Sequence, residues 1–166
     1  MKERVIHTLE PVFDCRSRVL LLGTIPSPKS RETGFYYGNP RNRFWNVLAA
    51  VYREPVPQSL AEKRMFLLGH KIALWDVLSS CEIQGASDGS ITAPAANNLS
   101  LILSRADIRA VFCTGAKAAQ LYQKHCQSQT GIAAIGLPST SPANCRMTVQ
   151  DLAKAYKMIR QYTDDT

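Results

Sequence analysis

The 166-residue sequence lacks the features that define several classes of protein. No uninterrupted apolar segment approaches the length of a membrane span, and the N-terminal residues MKERVIHTLE have no apolar signal core. The five cysteines form no CxxC pair and the three histidines are isolated, which argues against structural zinc and for reduced thiols. Neither a P-loop nor a dinucleotide-binding glycine motif is present. We therefore expect a cytoplasmic protein that binds no membrane, metal or cofactor.

Acidic residues are scarce in one part of a chain whose formal net charge is +7. Residues 16–53 contain seven Lys and Arg but only one acid, Glu32. For any one of these cations a solvated surface position is the ordinary interpretation. However, the same stretch contains aromatic residues such as Phe35 and Tyr36, and guanidinium groups beside stacking rings are typical of a nucleic-acid site.

Short apolar runs alternate with amphipathic segments along the chain, with no repeat or linker between them. The predicted strands are 18–24, 71–77, 109–114 and 132–136. The predicted helices are 43–52, 59–70, 97 or 98 to 105, 116–127 and 148–162. Residues 25–40 and 81–96 are expected to be long loops. This order predicts a single α/β domain over residues 1–166, a three-layer α/β/α fold around a central four-stranded parallel sheet.

Unusual loops follow the predicted strands, at the edge where parallel sheets bind their ligands. Two of them, 25–30 and 137–142, contain Pro-Ser pairs. Prolines beside small hydroxyl residues give rigid turns whose N–H and O–H groups can hold a phosphate. Each loop alone would be an ordinary turn, but with the pair at one edge a phosphate-binding site and two ordinary turns are equally compatible with the sequence.

These motifs resemble those of the uracil-DNA glycosylase superfamily, and more narrowly its hypoxanthine-DNA glycosylase branch. The first motif carries GTIPS at 23–27, KSR at 29–31, GFYYG at 34–38 and PRNRFW at 40–45. The second carries LPSTSPAN at 137–144, and the resemblance covers essentially the whole chain. Two positions depart from uracil-excising relatives. Ile25 stands where many of them carry Asp or Asn, and Leu137 where several carry His.

The resemblance implies a monofunctional base-excision enzyme that hydrolyses the N-glycosidic bond of a flipped deaminated base. Hypoxanthine is the expected base, with uracil or xanthine as further candidates, and the partner is DNA with no obligatory protein. Asn42 is implied to position the attacking water, although from its spacing alone it would be the N-cap of the following helix. The expected base-binding residues are Gly23, Thr24, Phe35, Tyr36, Asp76 and Thr114. The expected DNA-binding residues are Ser27, Lys29, Ser30, Arg31, Arg41, Arg43, Ser139, Ser141, Asn144 and Arg146.

Two other functions fit the same sequence. Ile25, which cannot orient a water molecule, is compatible with a DNA-binding module of this fold that has lost catalysis. A small-molecule hydrolase on the same α/β scaffold is the other alternative, because a fold does not fix a function. The first would bind DNA without releasing a base, and the second would act on free nucleosides.

Overall fold

The computed structural model describes residues 1–164 and is built around a parallel sheet of four strands. These strands are β2 (Val19–Gly23), β3 (Ile72–Asp76), β6 (Ala110–Thr114) and β7 (Ala134–Leu137), and their spatial order is β3-β2-β6-β7. All residues of β2 and β3 are buried, as expected when helices cover both faces of a parallel sheet. The predicted three-layer α/β/α fold is confirmed.

A second sheet, absent from the sequence-based prediction, is antiparallel and has the order β1-β4-β5. Its strands are β1 (Glu3–Ile6), β4 (Leu78–Gln84) and β5 (Ser87–Ala96). The expected loop at 81–96 is therefore wrong, since these residues form a hairpin. Its second strand lies at the sheet edge, where Pro94 costs no ladder hydrogen bond, and pairing along the hairpin is irregular. Those features hide the alternation that identifies a strand.

The helices largely follow the predicted amphipathic segments. They are α1 (Pro28–Thr33), α2 (Phe44–Tyr52), α3 (Leu60–Gly69), α4 (Ser100–Leu103), α5 (Ala116–His125), α6 (Gln127–Thr130), α7 (Val149–Tyr156), a 3₁₀ turn (Lys157–Ile159) and α8 (Arg160–Thr163). The segment 25–40 was expected to be a loop, but it contains α1. The helix expected at 148–162 is interrupted by the 3₁₀ turn. α2 packs against α7, and α5 packs against β6 and β7.

Strand register brings three distant parts of the chain to one edge of the parallel sheet. Gly23, the last residue of β2, lies opposite Asp76, the last residue of β3. On the other side of β2, Leu22 lies opposite Cys113, so Thr114 ends β6 at the same edge. The carboxyl ends of three adjacent strands therefore face one space.

The N-terminal strand β1 is brought to this edge by pairing with β4. Ile6 lies opposite Ser80, and the His7 N–H continues the pairing by donating to the Ser79 carbonyl at 2.8 Å. Because β4 begins two residues after β3 ends, this pairing places His7 beside Asp76.

None of the helices in residues 1–164 combines the length and apolar character that crossing a membrane requires. Over the same described residues, no group of three or more His, Cys, Asp or Glu is placed to hold a metal ion.

Candidate active site

A cavity of about 200 Å³ opens at the carboxyl edge of the parallel sheet. It is walled by the strand ends, by both Pro-Ser loops and by the turn of the β4–β5 hairpin. The lining residues are Gly23, Thr24, Ile25, Pro26, Ser27, Ser30, Tyr36, Tyr37, Asn39, Asn42, Asp76, Ile83, Gly85, Ala86, Asp88, Thr114, Ser139, Thr140, Ser141 and Pro142. The two motifs that the sequence singled out therefore meet in one concave site.

The floor of the cavity is formed around Gly23, where the missing side chain leaves room for polar atoms of neighbouring strands. A Cβ built on Gly23 would lie 2.5 Å from Asp76 Oδ1, 3.0 Å from the Tyr37 hydroxyl and 3.7 Å from Thr114 Oγ1. One carboxylate oxygen and two hydroxyl groups thus surround a single point. The three can accept or donate hydrogen bonds to a bound polar ring.

Asp76 is held by a histidine that sequence reasoning did not select. His7 Nε2 lies 2.8 Å from Asp76 Oδ2, and the two side chains are only 2% and 6% exposed. The His7 ring also contacts the rings of Tyr36 and Trp75. No local motif marks His7, because its place depends on long-range pairing between β1 and β4.

Tyr37, also not selected from the sequence, forms the aromatic wall of the cavity. Its ring stacks on Phe44 with centroids 3.8 Å apart, and its hydroxyl lies 3.1 Å from Thr114 Oγ1. Burial, reinforced by the charge of Asp76, raises the pKa of the Tyr37 phenol well above its usual value. The hydroxyl is therefore neutral and able to donate.

The other two aromatic residues of the same motif are placed differently. Phe35, expected to bind the base, is not among the residues that line the cavity, and its ring stacks on Trp45. Tyr36 does line the cavity, but its hydroxyl donates to the Glu10 carbonyl at 2.8 Å. The sequence of the motif predicts aromatic residues at the cavity, but which of the three rings lie there depends on the backbone, which is left-handed at Tyr37 with φ of 53°.

The N-cap of α2 is Arg43, one residue after the expected Asn42, and Asn42 lies at the cavity. Its Oδ1 accepts from the Phe44 N–H at 2.9 Å and from Thr140 Oγ1 at 2.8 Å. The amide oxygen of Asn42 is fixed by the Phe44 contact, since a backbone N–H only donates. Both of these bonds end on Oδ1, which joins the first motif to the second.

Arg43 holds the second motif from inside, a role that the sequence did not predict, and its contact with DNA stays a prediction. Its guanidinium donates to the carbonyls of Ser141 at 2.9 Å, Asn144 at 2.7 Å and Met147. The Arg43 N–H also donates to the Thr140 carbonyl at 3.1 Å. These bonds direct the guanidinium at the loop, so its charge orders the loop rather than facing solvent.

Serines of both motifs make bonds within their own loops. Ser27 Oγ caps α1 by accepting from the Ser30 N–H, and the buried Ser30 Oγ accepts from the Gly38 N–H. Ser139 Oγ accepts from the Ser141 N–H at 3.1 Å, and Asn144 Nδ2 donates to the Ser139 carbonyl at 3.0 Å. These bonds shape both rims of the cavity. The prediction that these residues contact DNA is not tested by them.

Of the predicted DNA-binding cations, some are paired within the protein and others face solvent. Lys29 Nζ lies 3.4 Å from a carboxylate oxygen of Glu32, and an Arg31 Nη lies 3.5 Å from one of Glu3. Arg41 and Arg146 are exposed, and each belongs to a segment that lines the cavity. These two remain the clearest candidates for contacts with DNA phosphates.

The turn of the β4–β5 hairpin closes one side of the cavity. Gly85, Ala86 and Asp88 line it. Because residues 81–96 were expected to be a long loop, this wall was not predicted.

Comparison with known proteins identifies the class to which this fold and site belong. The sequence model of the uracil DNA glycosylase superfamily matches residues 10–165. The chain therefore belongs to the uracil DNA glycosylase superfamily, and it is a DNA glycosylase. A solution NMR structure of a candidate uracil DNA glycosylase from Methanosarcina acetivorans has a TM-score of 0.78 and 26% identity, covering 95% of this chain and 99% of that one.

Two curated relatives carry names that are more specific than the name of the superfamily. A hypoxanthine DNA glycosylase from Methanosarcina acetivorans is 30% identical over 138 residues, which are 82% of this chain and 87% of the relative. A hypoxanthine DNA glycosylase from Methanosarcina barkeri is 30% identical over 112 residues, which are 66% and 71% of the two chains.

Proposed function

We propose that this DNA glycosylase excises hypoxanthine by hydrolysing the N-glycosidic bond of a flipped deoxyinosine, with uracil and xanthine as secondary substrates. The observation that carries the proposal is the convergence of Asp76, Tyr37 and Thr114 over Gly23 in a cavity of about 200 Å³. A cavity of this size is on the scale of one nucleobase. Enzymes that act on a base rotate the nucleotide out of the stacked duplex and into such a pocket.

The surroundings of the cavity fit a flipped nucleotide. The exposed Arg41 and Arg146 belong to the two rim loops, where they can neutralise phosphates on either side of the extruded nucleotide. Flipping costs a few kcal/mol of unstacking, which is lowest for a damaged or mismatched base. Phosphate contacts and burial of the base together offset that cost.

Asn42 is the residue proposed to hold the water that attacks C1′. Its Oδ1 is engaged by Phe44 and Thr140, so the side chain is fixed and its Nδ2 group can donate to a water oxygen. A water held in one place avoids the entropic cost of finding the reacting carbon. The same bonds tie Asn42 to the first residue of α2 and to the second motif.

The leaving base departs with developing negative charge. One hydroxyl of the Tyr37–Thr114 pair can stabilise this charge by donation, since the other donates within the pair. No lysine occurs among the cavity-lining residues of the described chain, so the proposed nucleophile is water and the enzyme is monofunctional. The scheme requires no protein partner.

The purified protein should be incubated with duplexes that contain hypoxanthine, uracil, xanthine or a G·T mismatch, followed by alkaline cleavage of abasic sites. We expect strand scission only after alkali, and fastest for hypoxanthine. Salt-sensitive binding without scission on any duplex would instead support the non-catalytic module. Turnover of free nucleosides with no action on DNA would support a small-molecule hydrolase.

The Asn42→Ala variant should lose base release by about 100-fold or more, because the water is no longer positioned. Loss of the two bonds that Asn42 Oδ1 accepts should cost about 1–3 kcal/mol of stability, and we expect the variant to stay folded. Single-turnover kinetics, thermal unfolding and DNA binding measure the three effects. Asn46→Ala is the matched control, since Asn46 is exposed on α2. Activity of Asn42→Ala within a few-fold of wild type would remove Asn42 from the mechanism.

A further inference from the structure

We infer that Thr140 is a positioning residue for the chemical step, because its hydroxyl group holds the amide of Asn42 that is proposed to bind the attacking water. The inference rests on the proposed function and names a residue of the second motif that was not among those expected to act. It gives the second motif a part in bond cleavage, in addition to its predicted contacts with DNA.

The direction of the hydrogen bond between Thr140 and Asn42 is fixed by a third group. Asn42 Oδ1 accepts from the Phe44 N–H at 2.9 Å, so the oxygen of the amide, and not its nitrogen, faces this side. Thr140 Oγ1 lies 2.8 Å from the same oxygen. Because an amide oxygen only accepts, the Thr140 hydroxyl must donate. The amide is held at two points through its oxygen, which leaves Nδ2 to donate to a water molecule.

Thr140 is itself held by the residue that follows Asn42. Its carbonyl accepts from the Arg43 N–H at 3.1 Å, and Thr140 is only 2% exposed. The backbone of Thr140 therefore binds Arg43, while its side chain binds Asn42. Two consecutive residues of the first motif are joined to one residue of the second, so a displacement of Thr140 would also displace the amide.

The neighbouring serines differ from Thr140 in what their hydroxyl groups do. Ser139 Oγ accepts from the Ser141 N–H at 3.1 Å, and Ser141 Oγ accepts from the Ala143 N–H at 3.2 Å. Within the part of the chain that the structure describes, these bonds use the serine oxygens and leave the O–H protons available to a ligand. The Thr140 proton is donated to Asn42, which favours a role within the protein over a contact with DNA.

Removal of the Thr140 hydroxyl should leave the amide of Asn42 attached at one point. Of its two donors, only the Phe44 N–H would remain, and a buried acceptor site on Oδ1 would lose its partner. Rotation of the amide about the remaining bond would move Nδ2 away from the position of the water. Since a displacement of about 1 Å at a reacting group can slow a reaction by about 100-fold, the rate of base release should fall.

The test replaces Thr140 by valine, which has nearly the same shape but no hydroxyl group, and by serine, which keeps the hydroxyl. Thr140→Val should lower the single-turnover rate of hypoxanthine release, measured at saturating protein, by about 10- to 100-fold. Thr140→Ser should stay within about threefold of the wild-type rate, because the donor is retained. The affinity for a duplex with a cleavage-resistant 2′-fluoro-deoxyinosine should change by less than about threefold in both variants.

Three results would overturn the inference. An unchanged rate in Thr140→Val would mean that the water is held without this bond. An equal loss of rate in Thr140→Val and Thr140→Ser would mean that the hydroxyl is not responsible. A loss of affinity with an unchanged rate at saturating protein would make Thr140 a contact for DNA and not a positioning residue.

Thr163 provides the matched control for the loss of a buried threonine hydroxyl. It is 6% exposed, lies in α8, and its Oγ1 is 2.7 Å from the Tyr52 hydroxyl. It is not among the residues that line the cavity. Thr163→Val should lower the temperature of thermal unfolding about as much as Thr140→Val does, but it should leave the rate of base release unchanged. A similar loss of rate in both variants would attribute the effect to destabilisation and contradict the positioning role.

Whether Thr140 acts through Asn42 is tested by combining the two substitutions. In the Asn42→Ala background the amide is absent, so adding Thr140→Val should slow the residual release by less than about threefold. Losses that multiply would mean that Thr140 acts independently of Asn42. The two proposals fail in different ways. If wild type releases no base from deoxyinosine, the proposed function fails. If wild type and Thr140→Val release hypoxanthine at the same rate, the proposed function stands and only the inference fails.

Discussion

At the scale of single residues, the site depends on Gly23, which has no side chain. Gly23 leaves the space over which Asp76 Oδ1 and the Tyr37 hydroxyl converge, at 2.5 and 3.0 Å from where a Cβ would stand. Both neighbours are held, Asp76 by His7 and Tyr37 by stacking on Phe44. Neither Asp76 nor Tyr37 can move away from an added Cβ without losing that contact.

Gly23→Ala is therefore expected to reduce base release by about 100-fold or more, as displacement of positioned groups does in other sites. Single-turnover release of the base measures the effect. Gly69→Ala is the control, since a Cβ at Gly69 meets nothing within 4 Å. Wild-type release by Gly23→Ala would mean that the convergence over Gly23 is not used.

The candidate site could be predicted from the sequence only where its residues belong to motifs. Asn42, Asp76 and Thr114 follow from the motifs and from the rule that ligands bind at the carboxyl edge of a parallel sheet. Tyr37 was hidden because three aromatic residues stand in a row and backbone conformation chooses between them. His7 was hidden because its partner is 69 positions away in the sequence.

At the scale of elements, the second motif depends on Arg43 for its shape. Its guanidinium donates to three carbonyls of residues 141–147, in a loop with no strand or helix of its own. A planar group with five donors is suited to that task, and lysine is not.

Arg43→Lys should therefore lower the stability of the protein by about 2–3 kcal/mol, since several charge-assisted bonds are lost. The affinity of the Arg43→Lys variant for DNA should also fall, because the loop of the second motif loses its order. Thermal unfolding and anisotropy titration measure the two effects.

The exposed Arg41 gives the matched control. Arg41→Ala should leave stability unchanged and reduce the salt dependence of DNA binding by about one phosphate contact. Unchanged stability in Arg43→Lys would contradict the structural role.

The elements of the parallel sheet were predictable, whereas those of the antiparallel sheet were not. Strands buried on both faces are continuous apolar runs, and all four were found. β5 is mostly exposed and contains Pro94, and Ala93 has a φ of 51°. Its stability comes from pairing with β4, which a local pattern does not reveal.

At the scale of the whole molecule, the five cysteines report on burial. All are free, with Cys15 and Cys145 exposed and the others buried. Burial raises the pKa of Cys113 to about 12 and also raises the pKa of Cys81 and Cys126. The thiolate is the reactive form of cysteine. At a pH below the raised pKa, the buried thiols are mostly protonated and therefore react slowly.

At pH 8 a thiol reagent should modify two cysteines of the native protein rapidly and all five after denaturation. The count is read by absorbance or by mass spectrometry. Rapid reaction of Cys113 in the native state would contradict the packing of the central sheet, because Cys113 lies in β6.

The central claim is that one cavity at the sheet edge binds a deaminated base and releases it by hydrolysis. Its most direct test is to detect the free base itself, by chromatography and mass spectrometry. Excess protein is mixed with a duplex containing a single deoxyinosine. We expect one equivalent of hypoxanthine per duplex and an abasic strand that stays intact until alkali is added. Stable binding of the duplex with no free base, or a broken strand before alkali, would contradict the account.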